Sequence, residues 1–224
     1  MDRGTARPPR SVLLSILAAL SVPACFGEDS TIFPSGLEPL EESRAPAPST
    51  ADDPTPELLS VVSGEGREFG WAHARGFVRR DLATTWAALR TPEVTVDRRQ
   101  VAEWSVVPDT EPEYPFSYAV DNVVKNIVTV RFRVGWRHGP AEGTVDAPEV
   151  VAARWQKTEG TVLISILRGS IVAREVAEGV TELAMVEHIE AASGGVSQIE
   201  TYLRDLFESV RARAHGRPLP TYDD

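Results

Sequence analysis

Residues 197–210 read SQIETYLRDLFESV, and what this stretch must cover decides the fold. Ile199, Leu203, Leu206, Phe207 and Val210 recur at helical spacing, so one side of a helix is apolar. Ser197 followed three residues later by Glu200 has the form of a capping box, and Gly216 and Pro218 end the pattern. Upstream, segments near 101–107, 116–123, 127–137, 149–157, 161–174 and 180–191 read as strands. Turn pairs such as Pro108-Asp109, Glu159-Gly160 and Glu178-Gly179 separate them, which predicts an antiparallel meander. Val128, Val130, Phe132, Val134 and Trp136 share one side of their strand, opposite Arg131, Arg133 and Arg137. Val151, Ala153 and Trp155 repeat the pattern on the next strand. A sheet with one greasy face needs a cover, and the last helix is the obvious one. The arginine side reads as a solvated face.

Before the meander, residues 68–80 read as a strand. Asp81 is then a good N-cap for a short helix carrying Leu82, Trp86 and Leu89, stopped before Pro92. Residues 97–102 read as one further helical turn. This order of strand, helix, long meander and C-terminal helix resembles the helix-grip fold of the START-like, or SRPBCC, superfamily. The segment FVRRDLATTWAAL, Phe77 to Leu89, is similar to that family's first strand and helix. RGSIVAREVAEGVTELAMVEH, Arg168 to His188, is similar to its closing strand pair. The resemblance implies an α+β fold, with a curved antiparallel sheet of about six or seven strands wrapped around a long C-terminal helix. It also implies a cavity between them for an apolar or aromatic ligand. The family holds lipid carriers and polyketide cyclases alike, so fold alone fixes no function.

The chain has 224 residues, with 23 Lys+Arg against 33 Asp+Glu and a net charge of −10. An acidic body lacks the basic footprint that a phosphate backbone demands, so no nucleic acid is expected as a partner. Lys125 and Lys157 are its only lysines, and Cys25 is its only cysteine, which rules out an internal disulfide or a cysteine zinc site.

At the start, Arg3, Arg7 and Arg10 precede the apolar run SVLLSILAALSV, Ser11 to Val22. That is too short to span a bilayer, which needs about 20 residues, but it suits a secretory signal. Val22-Pro23-Ala24-Cys25 follows, and it resembles the lipobox of bacterial lipoproteins. The resemblance implies cleavage after residue 24, acylation of Cys25, and attachment to the cell envelope through lipid. Phe26 after the cysteine resembles the pattern of an outer-membrane destination. An ordinary secreted protein is the plainer alternative. Residues 26–57 then carry six prolines, eight acidic residues and one arginine. Such a composition predicts an extended, mobile tether. Ile32, Phe33, Leu37 and Leu40 form a small apolar group within it, a docking peptide or merely part of a spacer. Gly64-Glu65-Gly66 reads as a hinge. The expected layout is therefore a signal peptide over 1–24, a lipidated cysteine and tether over 25–65, the domain over 66–217 and a tail over 218–224.

Candidate chemistry is sparse. His73, His138, His188 and His215 are scattered without metal-ligand spacing, and no nucleophile motif occurs, so no metal, cofactor or catalytic residue is assigned. Glu187 shares strand parity with Leu183, Met185 and Ile189. It would point inward among apolar side chains, unless a bulge or slipped register turns it out. The expected cavity lining is Phe132, Trp136, His138, Trp155, Met185, Glu187, Leu203, Leu206 and Phe207, although the tryptophans would serve equally as core. Three functions fit: an envelope-anchored, noncatalytic binder of a hydrophobic small molecule or lipid; a cyclase-like or hydrolase-like enzyme using Glu187 or His138 as acid or base; or an interaction module with its cavity closed.

Overall fold

The computed structural model describes Met1 and residues 28–222. The apolar run at 11–22 and Cys25 lie outside the described residues. The elements in chain order are β1 (Glu28–Ser30), β2 (Leu59–Glu65), β3 (Gly70–Val78), α1 (Leu82–Leu89), α2 (Pro92–Thr95), β4 (Glu103–Pro108), β5 (Phe116–Lys125), β6 (Thr129–Gly143), β7 (Pro148–Thr161), β8 (Ile164–Ala177), β9 (Val180–Ala191) and α3 (Val196–Ala214).

Among the described residues the strands form one nine-stranded antiparallel sheet, ordered β2-β3-β9-β8-β7-β6-β5-β4, with β1 pairing on the far end of β7. The count exceeds the expected six or seven because β1 and β2 come from the segment read as a tether. The domain boundary expected at residue 66 would cut the β2–β3 hairpin, in which Leu59 pairs with Gly76 and Glu65 with Gly70. Gly64 is therefore a strand residue rather than a hinge, and it lies close under the Trp71 indole. Register shifts between β6 and β7, and at both ends of the β8–β9 pair, bend the sheet into a trough.

Helix α1 begins as its sequence predicts. The Asp81 carboxylate accepts the Thr84 backbone N–H at 2.7 Å. Residues 97–102 form the expected single turn and go no further: the Asp97 carboxylate accepts the N–H groups of Arg99 and Gln100 as a cap would, each at 3.2 Å, and Val101 N–H donates to Asp97 C=O at 2.8 Å. Helix α3 lies in the trough with Ile199, Leu203, Leu206, Phe207 and Val210 buried. The expected capping box does not form. The helix starts one residue before Ser197 with Gly195 as N-cap, and Glu200 accepts instead from the Ser63 hydroxyl on β2. At the other end Gly216 takes a φ of +66°, and Arg217 N–H returns to Ala212 C=O, closing the last turn.

The outer face of the sheet is not bare. Residues 31–58 cross it as a strap rather than standing away as a mobile tether. Thr31 N–H donates to Thr158 C=O, Gln156 Nε2 to Ile32 C=O, and Leu40 N–H to Ser170 Oγ, at 2.8, 2.8 and 3.0 Å. Ser43 Oγ then reaches Ala74 C=O at 3.1 Å, and Arg211 Nη1 holds Glu57 C=O at 3.2 Å. A proline-rich chain cannot form regular structure of its own, but its carbonyls satisfy the donors that the sheet presents. Arg137 and Arg154 are such donors. Expected on a solvated face, Arg137 is 1% exposed. Arg133 remains half-exposed and pairs with Asp121 at 2.7 Å.

Candidate functional site

The trough is filled at one end and hollow at the other. Where α1 packs against α3, Leu82, Trp86 and Leu89 close the interior together with Val78, Leu206 and Val210. Toward the N-terminal end of α3 a cavity of about 890 Å³ remains. Its walls are β5, β6, β7, β8 and β9, its roof is Ile199 and Tyr202, and its mouth is ringed by Arg99, Asn126, Ile127, Leu163 and Gly194. Ile127 at the β5–β6 turn is fully exposed, with Val128 and Val162 partly exposed near the rim.

Of the expected lining, Phe132, Trp136, Trp155 and Glu187 face this cavity. His138, Met185, Leu203, Leu206 and Phe207 are buried but belong to the packed end. The distinction is a matter of distance along the helix. From Ile199 to Leu206 the axis rises about 10 Å, enough to pass from the hollow end to the filled one. Tyr202, Asp97 and Asn122 line the cavity and were not anticipated. Tyr202 sits beside Leu203 in the apolar stripe and could have been read from it. Asp97 opens an isolated turn after α2 that carries no apolar periodicity.

The floor is aromatic. Trp136 and Trp155 are cross-strand partners, stacked with centroids 4.7 Å apart and 15° between planes. The wide indole of Trp155 lies over Gly169, its partner on β8, where any Cβ would come within 1.9 Å of the ring. Glycine is thus required by close approach rather than by backbone conformation.

Glu187 is 2% exposed and points inward, settling the parity question against a bulge. Its Oε2 has no hydrogen-bond partner. Burial pushes its pKa well above the carboxylate range; the Trp155 side chain, a donor beside it, opposes the rise and the charge of Asp97 adds to it. Asp97 is also raised, chiefly by burial, against the pull of the Gln100 and Arg99 N–H groups. The Tyr202 hydroxyl donates to Thr95 C=O at 2.9 Å, and burial raises its pKa, helped by the neighbouring carboxylates. Arg99, the one guanidinium among the described lining residues, is turned to Asp205 with contacts of 2.8 and 3.1 Å.

His138 is sealed beneath this site. It is fully buried, both ring nitrogens lack partners, and burial with the charge of Arg90 depresses its pKa to about 3. A neutral imidazole there stacks with Trp136 and Tyr118 as core.

A second polar cluster lies on the outer face, where the strap crosses β3 and β9. Glu41, His73 and His188 bring three potential metal-ligand atoms within 4.8 Å of one another. Glu41 Oε1 lies 2.9 Å from His188 Nε2 and 3.3 Å from His73 Nε2. However, His73 Nδ1 accepts the Arg44 backbone N–H at 2.9 Å. The neutral ring must then carry its proton on Nε2, aimed at Glu41, where a metal would need a lone pair. The cluster works as a fastening for the strap.

No family model matches the sequence, and no curated protein matches it. Several solved structures are similar in fold. One is the lipid transfer and protein localization domain of human StarD13, at 12% identity over 72% of this chain and 85% of that one, with a TM-score of 0.48. Another is the STAR-related lipid transfer protein of Xanthomonas axonopodis, at 10% identity over 70% and 93%, with a TM-score of 0.47. A third is the Zhui aromatase/cyclase of a Streptomyces species, at 11% identity over 70% and 94%, with a TM-score of 0.43. Likeness of this degree concerns the path of the chain and carries nothing about ligand or chemistry.

Proposed function

We propose that the chain is a binding protein for an apolar small molecule or lipid, held at the cell envelope by an acylated Cys25. The observation that carries the binding reading is the cavity of about 890 Å³ between the sheet and α3, floored by the Trp136–Trp155 stack. Its volume lies in the range of small-molecule sites, and its lining is mostly apolar with a few convergent polar groups. Exposed Ile127 and Val128 at the mouth give an apolar ligand a path in from an apolar phase. Anchoring rests on the apolar run 11–22 and the chain's single cysteine three residues after it.

Native mass spectrometry of the protein purified from its own cells tests the binding reading. A copurifying apolar molecule, recovered unchanged, is the expected result. An empty protein that also fails to take up an apolar fluorescent probe overturns it. Cys25→Ser tests the anchor: the protein should move to the soluble fraction, and a variant that stays on the membrane at unchanged mass removes that part. A second reading, acid–base chemistry on a bound ligand, is favoured by one observation, the carboxyls of buried Glu187 and half-buried Asp97 in one cavity. Recovery of a chemically altered ligand after incubation would favour it.

A further inference from the structure

The charged groups of the cavity are unbalanced, and that bears on which apolar molecule fits. Glu187 stands on the cavity wall with Oε2 unpartnered and the whole residue 2% exposed. Asp97 faces the same space from the loop after α2, while its Oδ1 is occupied by two backbone N–H groups. Arg99 is the only basic side chain among the described lining residues, and both its Nε and its Nη2 are committed to Asp205. Tyr202 spends its hydroxyl proton on Thr95 C=O, leaving an acceptor toward the cavity. Asn122 on β5 likewise gives its amide N–H to Val120 C=O at 2.9 Å. Among the described lining residues the cavity therefore holds two carboxyls with amide and hydroxyl neighbours, and no cation free of a partner.

We propose that the cavity takes an amphiphile whose head is a primary amine, seated on Glu187 and Asp97 with its apolar tail along Trp136, Trp155 and Phe132, and that it rejects carboxylate and phosphate heads. This rests on the binding reading above and names the ligand class for the same site. A carboxylate or phosphate would bring a charge into a space with nothing to neutralise it. An ammonium supplies up to three donors to acceptors that lack them, and the tryptophan faces favour a cation. The groups around Glu187 are Asp97, Tyr202 and Trp155, with Tyr118 beyond Tyr202 and Arg99 at the rim. Burial raises the pKa of Glu187, which favours its protonated form in the empty cavity. Seating an ammonium beside it forms a carboxylate–ammonium pair, and the carboxyl proton leaves to solvent, so the charge balances.

The test uses three probes with one fourteen-carbon tail: tetradecylamine, tetradecanol and tetradecanoate. Titration calorimetry, in two buffers of different ionisation heat, reads both affinity and proton release. Tetradecylamine should bind at least about tenfold tighter than either other probe, with net proton release. Glu187→Gln combined with Asp97→Asn should remove the preference and the proton release, so that tetradecylamine binds the double variant no tighter than tetradecanol does. Tetradecanoate binding as tightly as the amine overturns the inference. So does an amine preference that survives the double substitution, since that is adsorption to an acidic surface. Tetradecanol binding without an amine advantage overturns the inference alone, whereas binding of none of the three overturns the binding reading with it.

Discussion

The guanidinium carbon of Arg137 sits 3.5 Å from the ring centroid of Phe33, more than a hundred residues away in sequence. The Tyr114 ring covers its other side at 4.6 Å. Its nitrogens donate to Pro34 C=O at 2.6 Å, to Tyr114 Oη at 3.1 Å and to Glu111 at 2.7 Å. Gly135 and Gly139, two residues to either side on the same face of β6, leave room for Phe33 and Leu37. The strap is thus keyed into the sheet by one buried cation between two slots.

Removing that cation strands its partners in a buried site. Arg137→Ala should cost about 3 kcal/mol, the low end for breaking a buried pair, because the carbonyls and hydroxyl it holds lose their donor while Glu111 keeps some access to water. A chain begun at Leu58 should likewise melt well below one begun at residue 28, with the outer face exposed. Thermal melts decide. Equal melting temperatures would show that the strap lies on the sheet without stabilising it.

The Trp155–Gly169 contact offers a way to close the cavity without substituting any of its lining residues. A Cβ at residue 169 would stand 1.9 Å from the indole, so Gly169→Val must drive Trp155 off the wall toward the cavity. We expect a folded protein with perturbed tryptophan fluorescence and at least about a tenfold loss of affinity for an apolar probe. Unchanged affinity would place the ligand elsewhere.

How much of this was legible in the sequence follows from what each residue's neighbours are. The inner face was readable because strands of period 2 and a helix of period 3.6 each write their burial into their own alternation. Val134, Trp136, Trp155 and Glu187 all point where their parity predicts. The division of that face into packed and hollow halves was not readable, because it depends on where α1 stops. Leu206 and Ile199 look alike in the stripe, and only the presence or absence of Leu82 and Leu89 opposite separates them. The strap was hidden for a different reason. Its attachments are backbone carbonyls, which every composition carries, and the signal that pointed to it was Phe33 and Leu37 together with Gly135, Arg137 and Gly139 at alternate positions on β6. The apolar run at 11–22 and Cys25 lie outside the described residues, so the anchor stands as proposed.

Stability should fall on mild acidification, with His138 a main cause. Its folded pKa of about 3 lies below the ordinary histidine value of 6.5. Below pH 6.5 the unfolded chain takes up a proton that the folded one refuses, so stability drops as pH falls through that window. Glu187 acts in the opposite sense, since its raised pKa makes the folded state hold a proton that the unfolded one has released. The His138 contribution is therefore read as a difference. Urea melts of the parent and His138→Phe should show the parent losing about 2 kcal/mol more than the variant between pH 6.5 and 4.5. Parallel pH curves would mean that the imidazole is not held neutral.

Helix α3 should respond to truncation according to which half of the trough each side chain meets. Leu206 and Phe207 are about 1% exposed in the packed half, and Phe207 rests on Gly76, where a Cβ would come within 2.7 Å of its ring. Alanine at either position removes transfer energy and leaves a void between fixed walls, so each should cost about 3–5 kcal/mol. Against a total stability of roughly 5–15 kcal/mol that is a large share. Ile199 is equally buried by exposure but faces the cavity. Its outer atoms have fewer neighbours to lose, so Ile199→Ala should cost nearer 2 kcal/mol, the low end of the range for such truncations. Its effect should appear instead in affinity for an apolar probe, which Leu206→Ala should leave almost unchanged. Arg204, exposed on the far side of the helix, should tolerate alanine within about 0.5 kcal/mol. Denaturant melts and probe titrations of the four variants separate the outcomes. If Ile199→Ala costs as much stability as Leu206→Ala and leaves affinity unchanged, the hollow half is packed in solution and the cavity is not a binding site. If all four costs are small, α3 does not grip the sheet.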